Sequence, residues 1–369
     1  MDIDFRDFPL QRSSEQRVWP WFAKVEALKK EVTLRDVAAA AGVSKMTASR
    51  ALRGAQDVSQ ATVLKVNNAA KEIGYVGNHL AASLTKTNSN LIGVVLPNLT
   101  NVVFSHVMNG ITEALGNTIF QPVFGVTEWD EDREYEVIKN ILSWRPAGMI
   151  VTGTGLPAST RLILERANIP LVQIMDTDGE VIDSVVGFSH EKAGYDMAQA
   201  LLKIGKRRIG FIGCIVNNDR RAAKRRVGFR RALKEANLDF CCEVNEAAVS
   251  SVSLGRKLMQ EALQDCPDME CIYFTNDDIA AGALFYCIER GIDVPSRLTL
   301  VGFNGMDISN SFPGRLATSV TDLTGIGTEA AKILLKRCTG EKSEVSERIV
   351  LEPRIELGNS VSNAPTEYD

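Results

Sequence analysis

From Leu91 onward, short apolar runs alternate with amphipathic stretches of helix length. The runs fall at 92–96, 121–126, 148–151, 171–175, 185–188, 209–213, 271–274 and 298–303. A strand that is apolar on both faces and is followed by a helix belongs in a parallel sheet covered on both sides. Some 270 residues are too many for one doubly wound sheet, so the pattern predicts two similar subdomains with a cleft between them. Ligands in such folds bind beyond the carboxyl ends of the strands. The residues just after each strand are therefore the candidates for contact.

The chain before Leu91 reads differently. Residues 1–30 mix charges with Phe5, Phe8, Trp19, Trp21 and Phe22 without a sustained period, and are taken as an N-terminal extension. From Val32 to Tyr75 the apolar positions recur at helical spacing in three pieces, broken at Gly42-Val43 and again at 53–58. That is a compact three-helix unit. Residues 77–90 lose hydrophobic weight and read as a linker with a turn or two of helix.

In the three-helix unit Leu34, Val37 and Ala38 make one apolar face, Gly42 permits a tight turn, and Ser44 is placed to cap a second helix. Ala48, Ala51 and Leu52 then face inward, leaving Lys45, Met46, Ser49, Arg50 and Arg53 as an outward ridge. Such a ridge suits the major groove, where bases offer acceptors to Arg and Lys and the thymine methyl offers an apolar contact to Met46. A three-helix bundle whose charged face is merely solvated fits the same pattern.

Charge sharpens the contrast between the two parts. The whole chain is mildly acidic, at −4, with 45% hydrophobic and 24% charged residues, an ordinary globular composition. Residues 29–86 nevertheless hold nine Lys or Arg against four acids. No run approaches the roughly 18 apolar residues of a membrane span, and no signal-peptide core opens the chain, so a cytoplasmic protein is expected. The seven cysteines include no C-x-x-C and read as reduced thiols, and the three histidines show no metal-ligand spacing. No cofactor or metal is expected.

The segments 32–38, 41–44, 47–50 and 58–59, reading VTLRDVA, AGVS, TASR and VS, closely resemble the headpiece of the lac repressor family of transcriptional regulators. The resemblance implies an α/β chain with an N-terminal helix-turn-helix headpiece and hinge helix. A two-subdomain effector domain with parallel sheets follows, similar to periplasmic binding proteins. It sets the headpiece at 31–77, the hinge at 78–90 and the effector and dimerisation domain at 91–360, with a tail at 361–369. The subdomains are expected at about 91–188 plus 321–348, and 189–320 plus 349–360.

By the same resemblance Lys45, Met46 and Arg50 read base edges, Arg50 most strongly, while Thr47, Ser49, Ser59 and Asn78 hold phosphates or position the headpiece. Arg53 adds a phosphate or base contact, and Leu84 is the hinge residue that wedges into the minor groove. In the effector domain the implied ligand residues are Phe104, Asp176, Arg225, Asn276 and Asn304. Many members carry Asp where this chain has Asn304, so a negative charge is missing and an anionic ligand is repelled less. Arg225 then offers a fork for a carboxylate. The segments 44–47, 142–144, 174–176, 186–188, 275–278 and 302–308 look like the gluconate-utilisation repressor branch. The implied partners are a pseudo-palindromic double-stranded operator, a sugar acid such as gluconate or a ketogluconate, and a second copy of the chain. A neutral sugar inducer or a corepressor is the alternative within the family.

Two other readings compete. Gly153-Thr154-Gly155-Leu156-Pro157-Ala158 satisfies G-x-G-x-x-A, with Asp176 about twenty residues on, the fingerprint of a nicotinamide-dinucleotide oxidoreductase. The motif follows the third strand instead of the first, however, and Pro157 crowds the turn; a loop at the cleft is the plainer reading. The run Asp219-Arg220-Arg221-Ala222-Ala223-Lys224-Arg225-Arg226 is read as a solvated helix face with one arginine in the cleft. Asp277 and Asp278 suit a helix N-terminus, and His190 is placed near the start of a surface helix. No nucleophile stands beside a base, so catalysis is not expected.

Overall fold

The computed structural model describes residues 32–55, 57–76, 89–214, 220–311, 316–340 and 346–358. The chain divides into two compact units, one ending at residue 85 and the other starting at residue 86. The N-terminal extension, most of the linker, with Asn78 and Leu84, and the tail lie outside the described residues.

The first unit contains α1 (Leu34–Ala40), α2 (Lys45–Leu52) and α3 (Gln60–Glu72). Asp36 accepts from the Thr33 backbone N–H at 2.8 Å and so closes the start of α1. Gly42, at φ +59°, makes the turn into α2 that a side chain would strain. Val37, Ala38, Ala41, Ala48, Ala51, Val66, Ala69 and Ala70 form the buried core, edged by Leu34, Val43, Leu52 and Tyr75. Small residues predominate there, which lets three short helices approach closely.

The second unit carries two parallel sheets. Its elements run β1 (Leu91–Leu96), α4 (Val102–Leu115), β2 (Gln121–Val126), α5 (Glu131–Ser143), β3 (Gly148–Thr152), α6 (Ala158–Arg166), β4 (Leu171–Ile174) and β5 (Ser184–Gly187). Then come α7 (His190–Lys203), β6 (Ile209–Cys214), α8 (Arg220–Glu235), β7 (Cys242–Glu246), α9 (Val252–Asp265), β8 (Cys271–Phe274), α10 (Asp277–Glu289) and β9 (Thr299–Val301). The chain ends through α11 (Asp307–Asn310), β10 (Thr318–Val320), α12 (Leu323–Cys338), β11 (Arg348–Val350) and β12 (Arg354–Glu356).

The first sheet has the order β11-β5-β4-β3-β1-β2 and the second β7-β6-β8-β9, while β10 and β12 form an antiparallel pair. Alternation along each strand feeds a core on either face. In β3, Ile150 joins the core that holds Phe104 and Phe188, whereas Met149 and Val151 join the one under α5 and α6. In β8, Ile272 and Phe274 face one core and Cys271 and Tyr273 the other. The chain crosses between the lobes after β5, again between β10 and α12, and again after β11. The last crossing comes after Val350, slightly beyond the residue 348 expected, because Arg348–Val350 pairs with β5 as an edge of the first sheet.

Candidate functional site

Two surfaces carry candidate chemistry, one on each unit. On the first, Ser44 caps α2: its Oγ accepts from the Thr47 backbone N–H at 3.0 Å and lies 2.8 Å from the Thr47 hydroxyl. This cap fixes where α2 begins and hence which side chains lead it. Ala48 and Ala51 are buried, while Lys45, Met46, Arg50 and Arg53 are exposed and Thr47 and Ser49 are half-buried. Met46 is 68% exposed, an apolar side chain standing in water at the head of the ridge. Arg50 is ion-paired with Asp57, both about half exposed. Arg53 donates from Nε to the Ser49 carbonyl at 3.1 Å. Ser59 caps α3, accepting from the Thr62 N–H at 3.3 Å. Thr47 and Ser59 thus stand at helix N-termini, where backbone N–H groups favour phosphate oxygens.

On the second unit, a cleft of about 530 Å³ opens between the lobes. Its floor is the carboxyl ends of β1 to β4: Leu96-Pro97, Thr127 and Trp129, Thr152 to Thr154, and Asp176. The opposite wall is the start of α8, which presents Arg220, Arg221 and Lys224. Positions i, i+1 and i+4 lie on one helix face, so one helix aims three cations at the other lobe.

Each of the three meets the first lobe in its own way. Lys224 donates from Nζ to Asp176 Oδ2 at 2.5 Å, and Asp176, itself only 2% exposed, also accepts from the Asp178 N–H at 2.9 Å. Arg221 lies over the rings of Phe104 and Trp129, at 5.2 and 5.0 Å. Arg220 pairs with Glu131 at 3.5 Å and passes over Gly155, where a Cβ would sit 3.1 Å from its guanidinium. Near it, burial and the neighbouring Glu131 push Glu134 up to about 7, against the lowering influence of Arg220.

Arg225 is turned away from this lining. Its NH1 is 2.9 Å from His190 Nδ1, its NH2 donates to the Thr275 carbonyl at 2.8 Å, and its guanidinium stacks 4.0 Å over Phe303. His190 Nε2 is 2.9 Å from the Met175 carbonyl. With an arginine donating to Nδ1, the ring is neutral and carries its proton on Nε2. Burial, then Arg225 and Arg221, hold its pKa well below the ordinary histidine range. His190 does start a helix, as the sequence suggests, but at 2% exposure it is an interior residue and not a surface one.

Close approach of α7 to α8 makes this relay possible. A Cβ on Gly194 would collide with the Arg225 carbonyl, and one on Gly228 with the Glu191 carbonyl. Met175, at φ +75°, and Asn304, at φ +110°, hold left-handed backbone at the strand ends that border the relay.

Of the five ligand positions inferred from the resemblance, Asp176 lines the cleft. Phe104 is fully buried beneath Arg221, and Arg225 is committed to His190 and Thr275. Asn276 caps α10, its Oδ1 accepting from the Ile279 N–H at 3.1 Å and from the Ser250 hydroxyl at 2.9 Å. Asn304 is tied by its backbone, its carbonyl accepting from the Thr321 N–H at 3.1 Å. The basic run of α8 is not a solvated face with one arginine in the cleft: Arg220, Arg221 and Lys224 all line it. Their i, i+1, i+4 spacing was the available signal. Trp129 and Glu134 carried none, since nothing in the sequence brings the start of α5 to the ends of β3 and β4. The loop from Gly153 to Ala158 does border the cleft. Asp277, fully buried, accepts from the Met306 N–H at 2.7 Å and the Thr318 hydroxyl at 2.8 Å, and burial pushes it up to about 7.

Comparison with known proteins agrees with this two-part construction. Residues 33–78 match the family described as bacterial regulatory proteins, lacI family, and residues 198–361 match a periplasmic binding protein-like domain. The chain is 37% identical to the HTH-type transcriptional regulator GntR of Pseudomonas aeruginosa, over 84% of this chain and 90% of that protein. It is 34% identical to the HTH-type transcriptional regulator IdnR of Escherichia coli, over 83% and 92%. Among solved structures, a LacI-family transcriptional regulator from Silicibacter pomeroyi superposes with a TM-score of 0.86 at 44% identity, covering 89% of this chain and 98% of the other. Regulators of this family bind operator DNA and small-molecule effectors and act as dimers. These relatives are regulators and not enzymes, which removes the oxidoreductase reading of Gly153 to Ala158. The chain belongs to the lacI family of bacterial regulatory proteins, as a DNA-binding transcriptional regulator.

Proposed function

We propose that this regulator represses genes for the uptake and catabolism of a sugar acid, gluconate or a ketogluconate, and that the acid, bound between the lobes, releases it from its operator. The observation that carries the reading is the wall of the cleft: Arg220, Arg221 and Lys224 from one helix, set against Trp129 of the other lobe. Cations satisfy a carboxylate and an aromatic face covers the apolar side of a polyol. Relatives named GntR and IdnR, at 37% and 34% identity, support the same class.

On DNA, Lys45, Met46 and Arg50 read bases, Thr47, Ser49 and Ser59 meet the backbone, and Arg53 adds a phosphate or base contact. Two copies bind a pseudo-palindromic site, since a two-fold protein matches a two-fold operator. The hinge, with Asn78 and Leu84, completes the contact, and the protein works in the cytoplasm where the operator is. The effector's lever is differential affinity: a preference of about 1 to 3 kcal/mol for the DNA-free form changes operator affinity 5- to 150-fold.

A thermal-shift screen of D-gluconate, ketogluconates, neutral sugars, purines and nicotinamide dinucleotides tests the effector class. A ligand at a hundredfold its Kd adds about 2.7 kcal/mol. A shift confined to sugar acids, followed by operator release in fluorescence anisotropy, is the expected result. A shift with neutral sugars alone overturns the effector class, and tighter operator binding with the acid reverses the sign of control.

A further inference from the structure

Lys224 and Asp176 form an ion pair from opposite lobes, and both line the cleft. Their side chains are 24% and 4% exposed, so this is the most desolvated of the ion pairs among the residues lining the cleft. Of the other cations of the lining, Arg220 is matched at the surface with Glu131 and Arg161 with Glu165 and Glu180, while Arg221 lies over the rings of Phe104 and Trp129. A carboxylate therefore already occupies the ammonium that an incoming acid would need. It is a carboxylate that its own loop also holds, through the Asp178 N–H on Oδ1.

We propose that Lys224 is the residue by which the cleft distinguishes a sugar acid from a neutral sugar, and that the Asp176 carboxylate occupies Lys224 until the effector's carboxylate displaces it. This rests on the sugar-acid reading above and deepens it. Arg221 and Arg225 lie within one turn of Lys224 on α8, and all three cations act on His190. The carboxylate on Lys224 thus sits in a positive field whichever molecule supplies it. A sugar acid replaces one carboxylate–ammonium bond with another of the same kind, so Lys224 keeps an anionic partner throughout, and the cost of the exchange falls on Asp176, which gives up its cation. Asp176, released on one oxygen and still held by the Asp178 N–H on the other, then accepts a hydroxyl of the same ligand. A neutral sugar brings no replacement for Asp176. It binds beside an intact pair, without the carboxylate bond, and leaves the lobes tied as they are.

Isothermal titration of the full-length protein with D-gluconate and with D-glucose tests the exchange. The variants are Lys224→Met, Lys224→Arg and Asp176→Asn, each checked by operator binding and by its melting curve. Charge-assisted bonds of this kind set the scale at about tenfold or more in Kd. Lys224→Met is expected to lose that factor for gluconate and nothing for glucose, with Lys224→Arg recovering part of it. Asp176→Asn, freed of the competing carboxylate, is expected to bind gluconate more tightly than the wild type. Unchanged gluconate affinity in Lys224→Met, or weaker affinity in a folded Asp176→Asn, overturns the exchange while wild-type gluconate binding keeps the effector class. If the wild type binds glucose and not gluconate, the effector class itself fails, and the exchange with it.

Discussion

Gly194→Ala tests whether the close approach of α7 and α8 sets the state of the cleft. A Cβ at residue 194 would lie more than about 1 Å inside ordinary contact with the Arg225 carbonyl, which is backbone and cannot swing aside. Helix α8 must therefore move outward by about that amount. The Arg225 bonds, 2.9 Å to His190 and 2.8 Å to Thr275, and the Lys224 bond of 2.5 Å to Asp176 all lengthen with it. A shift of about 1 Å takes each of them past hydrogen-bonding range. Overpacking of this kind costs about 1 to 3 kcal/mol, and for a unit of this size 2 kcal/mol lowers Tm by about 4 to 8 °C. Calorimetric melting reads the stability, and operator anisotropy with and without D-gluconate reads the response. The expected variant melts lower and, with the tie between Lys224 and Asp176 already broken, binds operator more weakly and responds to effector at least about tenfold more weakly. A variant with wild-type Tm and wild-type release would refute the reasoning, since α8 would then have absorbed the methyl without moving its cations.

Arg50→Ala should lower specific operator affinity by about 1 to 3 kcal/mol, the worth of one good base contact, while thermal shift with effector stays unchanged; unaltered specificity removes Arg50 from the base-reading set. Asp277 provides a pH test. Its folded pKa, about 7, lies above the ordinary carboxylate value of 3.8. The contribution is fully present below 3.8 and is lost as pH rises through about 7, so it makes the effector domain less stable across that window. Asp277→Asn should flatten this slope in urea denaturation between pH 4 and 7; an unchanged slope assigns it to other groups. His190 works in the opposite sense: its lowered pKa gives stability that is present above pH 6.5 and lost on acidification below it. His190→Gln should reduce that acid-side loss in the same titration, and an undiminished loss would mean another group takes up the proton.

The parallel strands were legible because a strand covered on both faces must be apolar throughout, and no amphipathic helix of that length imitates four to six such residues between turn signals. The strands that sequence missed lack that signature. β7 alternates half-buried and exposed residues at the edge of its sheet, and β10, β11 and β12 have three residues each, too few for any period. They exist because neighbours already in place offer them a ladder. The helix-turn-helix was legible for a different reason: Gly42, the Ser44 cap and the inward alanines are local requirements, each met within a few residues of the next.

The cleft was legible only in part, because its chemistry is a matter of which groups meet across it. Asp176 follows a strand end and could be placed from topology alone. Whether Arg225 or Lys224 reaches the ligand depends on how far α8 is pressed onto α7, and that distance is set by two glycines, Gly194 and Gly228, with no chemistry of their own. The same contact that buries Arg225 against His190 brings Arg221 and Lys224 to the first lobe, so the helix that packs the second lobe is also the wall of the cleft proposed to hold the effector. On the proposed exchange, binding at that wall and movement of the lobe are one event: an anion that takes Lys224 from Asp176 removes a bond between the lobes in the act of being recognised. A coupling free energy of a few kcal/mol needs no separate transmitting pathway when the recognition group and the tie between domains are the same side chain.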